Sequence, residues 1–116
     1  MRIDVKGRNV AVTDELREHV GRRCRKIERQ VSALAILEVE LLEERNPSIP
    51  DGNVAEATLQ LKGTTLRARE SGPEMRGAIT ACLDDLGVQV KRHRDKRRAR
   101  RRTRAEGGSG EVSPAA

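Results

Sequence analysis

Apolar and polar residues alternate in several short segments of this chain. In residues 2–6 the alternation places Ile3 and Val5 on one side, which predicts a strand that stops at Gly7. In residues 36–43, ILEVELLE, it separates an apolar face from a face of glutamates. Residues 54–70 alternate on both sides of Gly63 and predict a hairpin with a short turn. The segment before the hairpin, residues 45–53, has two prolines and an Asp-Gly pair and predicts a loop.

A first helix is predicted after Thr13. Threonine is a good N-cap residue, and Asp14 and Glu15 follow where the helix dipole favours acids. Apolar residues then recur at steps of three and four, at Leu16, Val20, Cys24, Ile27 and Val31. This spacing predicts one apolar stripe on a helix of about 18 residues.

A second helix is predicted after residue 71. Ser71 and Glu74 have the spacing of a capping box. The apolar stripe that follows comprises Met75, Ile79, Cys82, Leu86 and Val90. Beyond Val90 the apolar positions stop while helix-forming residues continue, so the helix is predicted to project as an arm as far as Gly107.

The predicted order of elements is therefore β-α-β-β-β-α. Each strand and each helix is apolar on one side only, so these sides must face one another. We expect an α+β fold in which two helices pack on one face of a four-stranded, mostly antiparallel sheet. A chain of 116 residues has room for one such domain.

Positive charge is concentrated at one end. The chain has 24 Lys and Arg against 18 Asp and Glu, and the segment KRHRDKRRARRRTR, residues 91–104, contains ten of the basic residues and one acid. Such a segment predicts an anionic partner, either nucleic acid or an acidic membrane surface, unless it is only a solvated tail. Residues 91–104 lack the apolar stripe of a membrane-surface helix, which favours nucleic acid and no membrane.

The basic residues suggest contact with phosphates. On a helix, Arg92, Arg94, Lys96, Arg97 and Arg100 point to more than one side, and Arg23 and Lys26 join the same surface if the two helices pack side by side. Arginine binds phosphate in a bidentate manner and fixes position on RNA without reading sequence. The chain has no Phe, Tyr or Trp, which excludes stacking of bases on aromatic side chains.

Catalysis has little support in the sequence. Neither His19 nor His93 has partners at a spacing that implies a triad, and Cys24 and Cys82 have no metal-ligand spacing. Phosphate-binding loops and zinc-hydrolase motifs do not occur. We expect a protein that is not an enzyme, with no cofactor, no metal and no small-molecule substrate. The N-terminus lacks an apolar signal region and no segment has the length of a membrane span, so a cytoplasmic location is predicted.

Four segments carry a resemblance to a known family: GRNVAVTDELREHV, RKIE, LRARESGPEMRGAI and LGVQVKRHRDK. The most specific part is the ending, which comprises Gln89, Arg92, His93, Arg94, Asp95 and Lys96. Over residues 1–97 the chain resembles the ribosome hibernation promoting factors, also described as ribosome-associated inhibitors or sigma-54 modulation proteins. The resemblance implies a β-α-β-β-β-α fold like that of double-stranded-RNA-binding domains. It further implies binding to the small ribosomal subunit and its rRNA, in the channel for tRNA and mRNA, with inhibition of translation under stress or in stationary phase.

The resemblance also implies which residues contact ribosomal RNA. They are Arg23 and Lys26 on the first helix and Arg92, Arg94 and Lys96 on the second, with Lys91 and Arg97 as adjacent candidates. It divides the chain into a ribosome-binding domain, residues 1–97, and a basic, then Gly/Ser-rich flexible tail, residues 98–116. No C-terminal dimerisation domain of the longer family members is expected. The alternative is a general RNA- or DNA-binding or transcription-modulating protein that uses the basic arm without regard to the ribosome.

Overall fold

The structure is a computed structural model that describes residues 1–46 and 48–107. Its elements follow the predicted order: β1 (Arg2–Arg8), α1 (Asp14–Glu28), β2 (Ile36–Glu43), β3 (Asn53–Leu61), β4 (Thr64–Gly72) and α2 (Met75–Gly107). The predicted α+β fold with four strands and two helices is confirmed.

The four strands form one sheet in the order β1-β2-β3-β4. β1 and β2 pair in parallel because α1 connects them as a crossover, whereas β2, β3 and β4 pair antiparallel through a loop and a tight turn. The turn between β3 and β4 consists of Lys62 and Gly63. Gly63 has a φ of +78°, a conformation that glycine adopts without steric cost.

The core lies between one face of the sheet and the two helices. From the strands it takes the inward-facing residues of the alternating segments, such as Leu37, Val39 and Leu41, all at most 1% exposed. The helices contribute the predicted stripes, with Cys24 and Cys82 as small buried apolar residues. Without aromatic residues, the core depends on close packing of aliphatic side chains, Met75 and the two thiols.

Three local predictions differ from the structure. β1 continues past Gly7 to Arg8, and α1 has 15 residues, fewer than predicted, because it ends at Glu28 before Val31. The predicted capping box at the start of α2 is wrong, because Ser71 belongs to β4. Instead, the carbonyl oxygen of Glu74 accepts the first helical hydrogen bond, from the amide of Ala78 at 3.1 Å. The predicted cap of α1 is confirmed, since Thr13 Oγ1 accepts from the amide of Leu16 at 3.2 Å.

The second helix extends well beyond the sheet. α2 has 33 residues, and Val90 is the last buried residue in its described part up to Arg102. At 1.5 Å per residue, the part from Lys91 to Gly107 adds about 25 Å of helix beyond the core. The predicted arm is therefore present as far as Gly107. The predicted Gly/Ser-rich end at residues 108–116 lies outside the described residues.

Candidate nucleic-acid interface

The face of α2 that packs on the sheet becomes basic where the sheet ends. Its stripe passes through Leu86 and Val90, both at most 1% exposed, and continues at helical spacing through Arg94, Arg97 and Arg101. The same side of one helix thus forms core in its first half and a cationic surface in its second half. Because the first half is fixed by packing, the arm projects in a direction set by the fold.

The two helices lie side by side and run parallel. Among the described residues, three side-chain pairs join them: Arg76 Nη1 to Glu15 Oε1 at 3.5 Å, His19 Nε2 to Thr80 Oγ1 at 2.8 Å, and Arg23 Nη2 to Asp84 Oδ1 at 2.7 Å. In all three the partners are 61 positions apart in sequence, as a parallel alignment requires. The C-terminal end of α1 therefore lies beside the part of α2 where the basic segment begins.

Arg23 and Lys26 lie on the flank of α1 that faces α2. Steps of four and three residues from His19, which packs against Thr80, place them on that flank. Both residues are exposed, and the guanidinium of Arg23 is held by Asp84. The structure thus ties Arg23 to α2 and places Lys26 one turn further along the same flank.

The candidates on α2 divide between its two flanks. Lys91 and Arg94 follow Asp84 by seven and ten positions and therefore lie on the flank that faces α1. Arg92 and Lys96 lie on the opposite flank, above β4. The seven candidate residues thus surround the base of the arm and do not form one flat patch.

The flank above β4 is anchored by Gln89. Its side-chain amide donates to the carbonyl oxygen of Arg67 at 2.7 Å, which ties α2 to β4. Arg92 and Lys96 follow by one and two turns on the same side of the helix. The structure therefore gives Gln89, which lies two positions before the KRHRDK segment, a positioning role at the start of the arm.

Most of the candidate cations have no acidic partner. Among the described residues, Lys26, Lys91, Arg92, Lys96 and Arg97 have no carboxylate oxygen within 4.0 Å. Arg94, whose side chain is half-buried, has only a 3.5 Å contact with its neighbour Asp95. Cations that are not neutralised by the protein are available for phosphate oxygens.

The open face of the sheet, on the side opposite the helices, has glutamates on its two central strands. On the open face of the sheet, Glu40 of β2 and Glu56 of β3 are direct neighbours across the strands. Each is held from an outer strand, Glu40 by Arg8 at 3.4 Å and Glu56 by Arg69 at 2.8 Å. The central acids of the open sheet face are therefore paired within the sheet, whereas most cations of the arm have no such partner.

The histidines and thiols give no sign of catalysis. His19 is buried between the helices, and this burial lowers the pKa of its imidazole. Burial raises the pKa of Cys24 and of Cys82 to about 12, so both thiols are protonated at neutral pH. Within the described part of the chain, no three His, Cys, Asp or Glu side chains are grouped to hold a metal ion, and no helix has the length and apolarity to cross a membrane.

Comparison with known proteins identifies the family. Residues 3–98 match the family described as sigma 54 modulation protein / S30EA ribosomal protein. The chain belongs to this family. The match ends at Arg98, so the arginines from Arg100 onward lie outside the part shared with the sigma 54 modulation / S30EA family.

Individual members of the S30EA family show the same extent of similarity. The chain is 33% identical over 96 residues to a ribosome hibernation promoting factor of Salmonella typhimurium, covering 83% of this chain and 96% of that protein. It is 27% identical over 97 residues to a ribosome hibernation promotion factor of Picosynechococcus, covering 83% of this chain and 50% of that protein. The crystal structure of the N-terminal domain of Thermus thermophilus Protein Y superimposes with a TM-score of 0.68 at 28% identity, covering 80% of this chain and 99% of that domain.

Sequence reasoning missed two features of this interface. The first is Asp84, which holds Arg23 and thereby joins α1 to α2. Arg98 and Arg101 were not assigned, but both line a groove beneath the arm. Both features depend on how distant segments pack, and the helical period of each segment alone does not contain that information.

Proposed function

We propose that this protein is a ribosome hibernation factor. It binds the small ribosomal subunit in the channel for tRNA and mRNA and inhibits translation under stress or in stationary phase. It acts in the cytoplasm, without catalysis and without a cofactor. The observation that carries the proposal is the basic arm of α2, fixed by the core and flanked by the cationic end of α1. The names of the relatives, ribosome hibernation promoting factors, support the ribosome as the anion that this surface meets.

In this proposal the contacts to ribosomal RNA are made by the two flanks of the arm. Arg23, Lys26, Lys91 and Arg94 contact phosphates on the α1 side. Arg92, Lys96 and Arg97 contact them on the β4 side. Cations on both flanks of a straight helix suit a groove or channel of RNA better than a flat RNA surface, because phosphates on both walls are within reach. The arm then acts as a wedge whose direction is set by the core.

Co-sedimentation with vacant ribosomes tests the proposal. At micromolar concentration and low salt, the wild-type chain is expected to pellet with ribosomes and with isolated small subunits. Replacing Arg92, Arg94 and Lys96 together by Glu should release it and reduce the log-log salt slope by about 2 to 3 units. A triple variant that still pellets tightly would rule out this interface, and a wild-type chain that does not pellet would contradict the function itself.

A matched control distinguishes the interface from net charge. Arg2, Lys6 and Arg45 are exposed and lie on β1 and in the loop after β2, away from both helices. Their joint replacement by Glu changes the net charge by the same amount as the arm variant. This control is expected to pellet with ribosomes nearly as well as the wild-type chain.

The proposed division of the chain into residues 1–97 and a basic tail has its own test. A chain that ends at Lys96 keeps every residue that is buried in the described part of the protein, up to Val90. It is therefore expected to fold and to bind ribosomes with lower affinity than the full chain. Ligands that compete with the full chain for ribosomes should compete equally well with the shortened chain. Loss of all binding would place the essential contacts beyond residue 96.

A general nucleic-acid-binding role is the second candidate, and one observation favours it. The cations of the arm continue through Arg102, beyond the part shared with the family. Excess duplex DNA separates the two functions. It would strip a general binder from ribosomes, but it should barely displace a factor that fits a channel of the small subunit.

A further inference from the structure

A groove of about 710 Å³ lies beneath the arm. It is enclosed by the arm, by the segment that follows α1 and by the turn between β3 and β4, and we refer to it as the arm groove. Its volume is within the range of about 300 to 1,000 Å³ that is typical of ligand sites. It lies on the underside of α2, between the two flanks described above, and shares Arg94 and Arg97 with them.

The arm groove has an apolar floor. Val31 and Leu61 are half-buried there, and Leu34 at its rim is 89% exposed, far more than the other large apolar residues of the described chain. Water contact at such a leucine is unfavourable, and a flat apolar ligand placed on this floor would relieve it. A phosphate ion alone would leave the floor exposed.

The walls of the arm groove are strongly cationic. Six basic residues line it: Arg29, Lys62, Arg94, Arg97, Arg98 and Arg101. No Asp or Glu is among the described residues that line it, whereas Asp95 lines the surface on the β4 flank. Arginine planes bind phosphate oxygens and also stack on nucleic-acid bases, which matters in a chain that has no aromatic residue.

Polar atoms at the inner wall lack partners. Gln30 Oε1, His93 Nε2 and Arg94 Nε are buried and have no hydrogen-bond partner among the described residues. All three residues line the arm groove. Buried polar groups are nearly always satisfied, and a ligand edge that offers both donors and acceptors would satisfy these after small side-chain rotations.

We propose that the arm groove binds a nucleotide. The base lies on the floor at Val31 and Leu61 and against Leu34 at the rim. Its polar edge meets the wall at Gln30 and His93, and its phosphates are held by Arg98 and Arg101. The nucleotide comes either from RNA, as an extruded residue, or from the free pool, as a nucleoside polyphosphate. The RNA source rests on the proposed function, and the free source does not.

Two fluorescent probes distinguish the sources. One is 2-aminopurine riboside triphosphate, and the other is a short oligouridine with a central 2-aminopurine. Because the chain has no Trp or Tyr, emission from the probe is measured without background from the protein. Saturable binding of either probe is expected, and tighter binding of one identifies the source. Absence of binding by both probes would overturn the proposal.

Inorganic triphosphate and an abasic oligouridine test the role of the base. Loss of a stacked base weakens binding by about fivefold or more, so both comparison ligands should compete correspondingly less well. If they compete equally well, the arm groove binds phosphate by charge alone and the proposal is wrong. An acidic leucine-containing peptide that displaces the probes at lower concentration would overturn it in favour of a protein partner.

Two pairs of variants locate the site. Leu34→Glu places an acid at the rim of the arm groove, and Val88→Glu does the same at another exposed apolar residue that does not line it. The double variant Arg98→Glu with Arg101→Glu is matched by Arg100→Glu with Arg102→Glu, which has the same net charge but lies outside this groove. The added acids repel the phosphates, so Leu34→Glu and the Arg98, Arg101 double variant should each weaken probe binding more than about tenfold. Val88→Glu should leave probe binding nearly unchanged. The Arg100, Arg102 double variant should weaken it less, and salt should screen that loss. Equal losses within either pair would overturn the proposal.

Ribosome pelleting with the same variants separates this inference from the proposed function. If RNA supplies the nucleotide, Leu34→Glu lowers ribosome affinity while Val88→Glu does not. If the free pool supplies it, ribosome binding is unchanged by Leu34→Glu while probe binding is lost. A wild-type chain that binds the triphosphate probe but not ribosomes would contradict the proposed function and leave the nucleotide site standing.

Discussion

Arg23 of α1 and Asp84 of α2 form an ion pair, with Nη2 2.7 Å from Oδ1. The pair lies immediately before the position where α2 becomes basic, and it fixes a cation of α1 beside the base of the arm. Its geometry is good, but the two side chains are 40% and 60% exposed, so solvent screens it. Its main effect is therefore to hold Arg23 in place and to neutralise it while no polyanion is bound.

Replacement of Asp84 by Asn is expected to strengthen RNA binding. The change removes an acid close to the phosphates and frees Arg23, which should tighten ribosome affinity by up to about fivefold. The free energy of unfolding should change by less than about 1 kcal/mol, since the pair is exposed. Salt-dependent pelleting and urea unfolding measure the two effects. The control is Asp51→Asn, the same charge change in the loop before β3, and equal effects of the two variants would show that Arg23 does not reach the RNA.

The contacts between the helices show where prediction from sequence ends. The stripe on each helix follows from local spacing, and the arm follows from the point where apolar positions stop after Val90. Whether His19 faces solvent or Thr80 depends on the register between α1 and α2. That register is determined by the β1-α1-β2 crossover and by the packing of both helices on the sheet. For the same reason, Asp84 could not be assigned to Arg23, and the groove beneath Arg101 could not be foreseen.

The pH dependence of stability is expected to report on His19. Its Nε2 lies 2.8 Å from Thr80 Oγ1 and 3.2 Å from the carbonyl oxygen of Arg76, and burial lowers its pKa from the ordinary value of 6.5. The unfolded chain therefore takes up the proton at a higher pH than the folded chain. The stabilisation is complete above about pH 6.5 and declines as the pH falls from there towards the folded-state pKa.

Urea unfolding between pH 7.5 and pH 5.5 checks this expectation. His19→Gln should flatten the pH dependence, because Gln retains a hydrogen-bond donor but does not titrate. His93→Gln removes the other histidine, retains His19 and is expected to keep the slope. A slope that persists in the His19 variant would assign the effect to another group.

The thiols of Cys24 and Cys82 are expected to be unreactive in the folded protein. Both are buried and free, and burial raises the pKa of each to about 12. Only the thiolate attacks disulfide reagents, so labelling by such a reagent at pH 8 requires local or global unfolding. The rate should rise steeply in urea, across the unfolding transition. Ser32→Cys, at an exposed position after α1, supplies a control thiol that should react with the disulfide reagent without any unfolding.

Gly7 and Gly87 are expected to respond in opposite directions to replacement by Ala. A Cβ at Gly7 would lie 2.3 Å from the carbonyl oxygen of Val10 and 2.9 Å from Cγ2 of Val12, so the backbone after β1 must shift. The cost should be about 1 to 3 kcal/mol, which for a domain of this size lowers Tm by at least about 4 °C. A Cβ at Gly87, within α2, meets no atom within 4 Å, so Ala there should gain about 0.5 to 1 kcal/mol from helix propensity. Thermal unfolding followed by circular dichroism measures both changes, and a stabilised Gly7→Ala variant would show that the chain does not make its close approach at Val10.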